Sequence, residues 1–170
     1  MKRTVLASIC SLVLAGAIRS AAASGEAGAP NPVTMNPSSV SLGYVIVYVK
    51  DVAASLTFYE KAFGLTRRFF NDDHGMAYGE LETGAARLAF ASLAMANAQV
   101  KQGIVAASPD QPPLGVEIAL VTPDVPALYA RAVKTGATAV CEPATKPWGQ
   151  TVAYVRDNSG FLIELCTPLP

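Results

Sequence analysis

Tyr44-Val-Ile-Val-Tyr-Val-Lys-Asp51, continuing as Val52-Ala-Ala-Ser-Leu-Thr-Phe-Tyr-Glu-Lys-Ala-Phe63-Gly64, holds the pattern from which the fold is read. Its first half is rich in β-branched and aromatic residues and is closed by an aspartate, which is the signature of a strand. Its second half places Val52, Leu56, Tyr59 and Phe63 at helical spacing. Asp51 is positioned to cap that helix, and Gly64 to end it in a left-handed turn. Three further strands are expected at 65–70, 76–81 and 86–91, parted by Asn71-Asp72-Asp73 and Thr83-Gly84.

The same order then recurs. Glu117-Ile-Ala-Leu-Val-Thr-Pro-Asp124 is a strand ending in aspartate, and a helix follows from Val125 to Thr135, stopped by Gly136. Strands are expected at 137–141, 150–155 and 161–166, divided by Lys146-Pro147-Trp148-Gly149 and Asp157-Asn158-Ser159-Gly160. Tyr44 to Glu117 and Asp51 to Asp124 share one offset of 73 residues. A fixed offset across several elements is the mark of a repeat. The chain therefore reads as α+β, with two tandem βαβββ modules pairing into a curved mixed sheet with a central cleft. Module one spans 41–91, a linker 92–114, and module two 115–168.

Composition supports one folded domain with an N-terminal extension. The chain has 170 residues, of which 51% are apolar and 15% charged, with 13 basic against 13 acidic side chains. That balance excludes a disordered polymer and gives no basic excess with which to bind nucleic acid. Residues 1–23 read as a secretory signal peptide: Lys2 and Arg3, an apolar run, then Ala21-Ala22-Ala23. The apolar run falls short of the roughly 20 residues that span a bilayer, so no membrane association is expected after cleavage. Residues 24–40, with Pro30, Pro32 and Pro37, read as a flexible arm. The expected location is exported, periplasmic. Two cysteines, Cys141 and Cys166, would then meet an oxidising compartment; they could pair, or Cys166 could be a small buried hydrophobe. The single histidine, His74, lies in a polar turn and is expected to be exposed.

Asp51 with "VAASLTFYEKAFGL", and "WGQTVAYVRDNSGFLIELCTP" at the far end, resemble the vicinal oxygen chelate superfamily, which includes glyoxalase I, bleomycin-resistance proteins and extradiol dioxygenases. The resemblance covers about residues 41–168. It implies that four side chains project into the cleft, two from the first strands and two from the last strands of the modules. By that resemblance the positions are Tyr44, Ala89, Glu117 and Glu164, where metal-dependent members carry His, Gln or Glu. Two donors are thus missing, and the expected cofactor is none or a weakly held divalent metal ion on Glu117 and Glu164.

Two carboxylates drawn together would raise the pKa of one, creating a base able to take a proton next to a carbonyl. Glu164 is then the candidate catalytic residue. The other reading has one glutamate hydrogen-bonded on the strand face or solvated at the rim, with no catalysis. Tyr44, Tyr48, Phe90, Trp148 and Tyr154 are the aromatic candidates for ligand binding in the cleft or at its mouth. Tyr59 and Phe63 are assigned to the core. Arg67-Arg68 could contact an anionic ligand with at most one of the two, since adjacent strand residues point to opposite faces, and a solvated pair is the expected reading. Three readings stay open: a small-molecule binding protein with a degenerate metal site, a metal-dependent lyase, isomerase or dioxygenase, and a module whose cleft is closed by self-association into a homodimer.

Overall fold

The computed structural model describes residues 40–169, so the signal peptide and residues 24–39 of the arm lie outside it. In chain order the elements are β1 (Tyr44–Val49), α1 (Val52–Phe63), β2 (Thr66–Asp73), β3 (Met76–Glu82), β4 (Arg87–Ser92), α2 (Leu93–Gln99), β5 (Glu117–Val121), α3 (Val125–Thr135), β6 (Thr138–Thr145), β7 (Thr151–Arg156) and β8 (Leu162–Cys166). Among the described residues no helix is long and apolar enough to cross a membrane.

Both long helices begin and end as their sequences dictate. The Asp51 carboxylate accepts from the Ala54 amide at 2.8 Å, and that of Asp124 from Ala127 at 3.0 Å. Each satisfies an amide that the first helical turn leaves free. Gly64 and Gly136 close the helices with φ of 74° and 109°, and Lys61 and Lys134 sit in the last turns, where the helix dipole favours a cation.

Each module folds into a four-stranded mixed sheet, in the orders β1-β4-β3-β2 and β5-β8-β7-β6. The first pair of each is parallel, with Tyr44 opposite Arg87 and Glu117 opposite Leu162. The remaining pairs are antiparallel. Among the described residues no ladder joins the two sheets, and β1 and β5 are edge strands. Both helices lie on the inward faces of the sheets and pack on one another, and one apolar core runs through both modules. Tyr59 is its centre: fully buried, it meets Phe90 edge-on at 4.9 Å and Phe63 at 5.0 Å. Gly79 allows this close packing, because a Cβ there would stand 2.5 Å from Leu56 Cδ1.

A polar latch crosses the core. The Tyr59 hydroxyl donates to Asp157 Oδ2 at 2.9 Å, and Asp157 Oδ1 accepts from the Ser159 and Phe161 amides at 2.9 and 2.8 Å. Ser55 Oγ lies 3.2 Å from Ser159 Oγ. Module one's helix is thereby fastened to the turn that launches β8. Burial pushes the Asp157 carboxyl up, while its hydrogen bonds pull it down. Burial, then the Asp157 charge, raises the Tyr59 phenol well above its ordinary range, so it remains the donor.

Four local expectations are corrected. The segment 92–114 opens with a short helix, α2, whose first turn is capped by Ser92 Oγ accepting from Met95. Asn71, Asp72 and Asp73 belong to β2, and the turn falls on His74 and Gly75, both with positive φ. Asp72 supports that turn by accepting from the Gly75 amide at 2.9 Å. Strand β6 runs on to Thr145 through two bulges. Arg67 and Arg68 are paired rather than solvated: Arg67 bonds Glu60 at 2.7 Å, and Arg68 approaches Glu80 and Glu82. A bulge between Arg67 and Phe69 separates their directions. His74 is almost fully exposed, as its turn position implied.

Candidate functional site

Strand alternation fixes which side chains leave the core. In β5, β7 and β8 the inward residues are Ile118, Leu120, Ala153, Val155, Ile163 and Leu165. Glu117, Ala119, Tyr154, Glu164 and Cys166 therefore point to the opposite, open face. The register seats Glu164 between Ala119 of β5 and Tyr154 of β7, with Cys141 of β6 beyond Tyr154. Ala119 leaves room beside the Glu164 carboxylate, and Glu117 stands one alternate position along the same strand.

These groups feel one another. Burial raises the Glu164 carboxyl, and the Glu117 charge raises it further; the Tyr154 hydroxyl and the Lys146 ammonium oppose this. Burial and the two carboxylates likewise raise the Tyr154 phenol, which stays a proton donor. The face thus offers an acceptor that holds its proton to higher pH than an ordinary glutamate, next to a neutral hydroxyl. Cys166 is raised by burial and then by the same two charges, which keeps its thiol protonated and unreactive.

A pH signature follows from the raised carboxyl. Between about pH 4, where an unfolded glutamate titrates, and its higher native value, the folded state keeps a proton that the unfolded state has lost. Its contribution is present at low pH and lost as pH rises through the native value. Glu164→Gln removes that loss. Thermal unfolding at pH 4, 5.5 and 7 is expected to show the variant gaining on wild type as pH rises, and a gap widening toward acid would contradict this.

The structure brings together Glu117, Glu164 and Tyr154 but not the other candidates. Tyr44 and Tyr48 lie on the open face of module one, opposite Arg87 and Ala91 in the ladder. Ala89, opposite Ile46, is fully buried and holds the register place that Glu164 holds in module two. Phe90, expected near the cleft, is instead fully buried on the inward face against Tyr59; alternation from Arg87 and Ala89 turns it into the core. Trp148 is 57% exposed, and its indole N–H donates to Gln150 Oε1 at 2.8 Å. Cys141 and Cys166 are free thiols on β6 and β8, with β7 between them. Two strand spacings amount to roughly 9–10 Å, beyond the reach of a disulfide.

Sequence reasoning missed Glu80. It lies on the open face of module one, accepts from the Tyr78 hydroxyl at 2.9 Å, and is flanked by Arg68 and Arg87 at 3.8 and 3.7 Å. Alternation in Tyr78-Gly-Glu80-Leu-Glu82 carried the signal. Each module thus has a Tyr–Glu pair, but in module one two guanidinium groups accompany the acid.

The donor set does not fit a four-donor metal cage. Ala89 supplies no donor, and Tyr44 stands on a different sheet from Glu117 and Glu164. Among the described residues no three of His, Cys, Asp or Glu gather within reach of one ion.

A groove of about 740 Å³ runs between the free edges of β1 and β5. Its walls include Val45, Val47, Phe63, Leu65, Leu120 and Leu128. Its charged residues are Arg87, beside Glu80, Arg131, whose Nε donates to the Ala62 carbonyl at 2.8 Å, and Glu117, which has no ion pair among the described residues.

Comparison with known proteins follows the same architecture. A family model described as Glyoxalase/Bleomycin resistance protein/Dioxygenase superfamily matches residues 41–165. A glyoxalase-related enzyme from Fulvimarina pelagi superposes with a TM-score of 0.61 at 22% identity, over 75% of this chain and 88% of that one. A glyoxalase/bleomycin resistance protein/dioxygenase family enzyme from Burkholderia phytofirmans PsJN gives 0.60 at 19% identity, over 75% and 98%. A third, a glyoxalase/bleomycin resistance protein/dioxygenase from Nocardioides, gives 0.58 at 21%, over 79% and 87%. At these identities the likeness is one of fold. No curated protein matches by sequence.

Proposed function

Because this chain belongs to the glyoxalase/bleomycin resistance protein/dioxygenase superfamily, whose shared fold leaves the chemistry open, we propose that it binds a small organic molecule between its two modules. The observation that carries this reading is the groove between β1 and β5. Its volume of about 740 Å³ lies within the range of roughly 300–1,000 Å³ usual for ligand pockets. Apolar walls supply the binding free energy, and Glu117 at the margin supplies a polar group to orient the guest. The signal-like pattern of residues 1–23 supports a reading in which this binding occurs outside the cytoplasm.

Val45 allows a direct test, being a groove residue that is 41% exposed and so replaceable without opening the core. N-phenyl-1-naphthylamine, a neutral fluorescent probe, is expected to bind saturably with one site per chain. Val45→Trp, which fills the groove, is expected to weaken that binding at least tenfold with little change in Tm. Absence of saturable binding, or indifference to Val45→Trp, would remove the groove from consideration.

The raised Glu164 carboxyl beside the Tyr154 hydroxyl supports a second reading, proton transfer at a carbon next to a carbonyl. Glu164 would take the proton, and the phenol would donate to the developing oxyanion. Deuterium uptake from solvent into a bound ligand, abolished in Glu164→Gln, is the outcome this reading requires.

A further inference from the structure

Four strands end the two sheets, and they are not alike. Strand β2 carries Arg67, Arg68, Asp72, Asp73 and a bulge. Strand β6 carries Glu142, Pro143 and two bulges. Charges, proline and bulges are the devices that keep an edge from pairing with another chain. Strand β1, Tyr-Val-Ile-Val-Tyr-Val, has none of them, and β5, Glu-Ile-Ala-Leu-Val, has only Glu117.

The unprotected edges are the two that border the groove. Among the described residues β1 pairs only with β4, and β5 only with β8, so alternate amides and carbonyls on the outer side of each strand have no ladder partner there, and both strands line the groove. Side chains at the edges remain in water: Tyr44 is 56%, Val45 41% and Val121 64% exposed. A guest with no amides would fill the apolar volume and leave these backbone groups to solvent. An extended peptide brings amides and carbonyls of its own to meet them.

We propose that the groove accepts a short extended peptide, a segment of another polypeptide, as a strand between β1 and β5. This inference rests on the groove reading above and names the class of its ligand. About five residues, roughly 17 Å at strand rise, match the five of β5. Residues facing the core are apolar, because they meet Val47, Leu120 and Leu128. A basic residue on the other face meets Glu117, whose charge has no ion-pair partner among the described residues while Arg87 and Arg131 are engaged. A single strand adds to an exposed edge inside the groove, whereas strands of a second copy come already held in sheets of their own.

The test uses acetyl-Val-Lys-Val-Lys-Val-amide and a twin in which esters replace the internal amides, removing N–H donors while keeping the side chains. Calorimetry is expected to show the peptide binding, displacing N-phenyl-1-naphthylamine, and losing at least tenfold in affinity in the ester twin. Glu117→Gln is expected to weaken the peptide several-fold and to leave unchanged the weaker binding of acetyl-Val-Gln-Val-Gln-Val-amide, which carries no cation to meet that charge. Equal binding of peptide and ester, or binding of the naphthylamine alone, overturns the peptide inference and leaves the groove reading standing. A dimer in solution that binds the naphthylamine but excludes the peptide overturns it in favour of self-association. Binding of neither probe overturns both.

Discussion

Asp157→Ala is expected to lower the unfolding free energy by about 3–4 kcal/mol, since a buried donor left without its partner costs about 1–3 kcal/mol. The carboxylate, 2% exposed, is the partner of three donors at once. Alanine leaves the fully buried Tyr59 hydroxyl and the Phe161 amide without acceptors. It also frees the turn that feeds β8, so the placement of Glu164 loosens together with stability. Asp157→Asn separates size from charge. Its amide oxygen still accepts from the two backbone N–H groups, and its NH₂ can donate to the Tyr59 oxygen, so a loss near 1 kcal/mol is expected. The asparagine variant should also flatten part of the pH profile. Burial raises the native Asp157 carboxyl, so wild type loses stability as pH climbs from about 4 through that native value. Urea unfolding at pH 4.5 and 7 checks both points. An alanine variant as stable as wild type would show that the two modules are not fastened here.

What the sequence carries legibly is what is local. Asp51 and Asp124 cap, Gly64 and Gly136 terminate, and the strands alternate; each is decided within a few residues, so the two-module fold can be read directly. The correspondence of Ala89 with Glu164 comes from the family resemblance rather than from the 73-residue offset, and it is matched by the ladders, where they sit opposite Ile46 and Ala119. The pairing of Glu117 with Glu164 is legible for the same reason. Phe90 is misplaced when strand parity is ignored, although Arg87 and Ala89 on the other face give the answer. Helix α2 escapes because Leu-Ala-Met-Ala-Asn-Ala-Gln shows no amphipathic contrast, and its cap is a single serine. Asp157 escapes for a deeper reason. In an Asp-Asn-Ser-Gly turn an aspartate reads as surface, and its partner Tyr59 lies 98 residues away. The groove is of this kind too: no window of sequence shows that β1 and β5 stop short of pairing.

Gly160→Ala isolates one such distant contact and is expected to cost about 3–4 kcal/mol. Gly160 adopts φ of +93°, and a Cβ there would stand 2.6 Å from the Ser108 carbonyl oxygen and 2.7 Å from the Pro109 nitrogen. Those are backbone atoms of the inter-module segment, and that segment has little freedom to withdraw. Arg156 clamps it, donating to the Ser108 carbonyl at 2.6 Å and the Pro109 carbonyl at 3.0 Å while also bonding Gly160 itself at 2.9 Å. A methyl group must therefore either break these charge-assisted bonds, each worth about 1.5–3 kcal/mol, or displace the turn that Asp157 holds. Gly136→Ala is the control. Its φ of +109° imposes comparable left-handed strain, roughly 1–2 kcal/mol, but its Cβ would meet nothing within 4 Å. Chemical unfolding of the two variants should thus differ by about 2 kcal/mol, and Arg156→Ala combined with Gly160→Ala should cost less than the sum of the two singles, as residues sharing one contact do. Equal losses at Gly136 and Gly160 would mean that backbone conformation alone sets the cost and that the 108–109 segment yields freely to the intruding methyl.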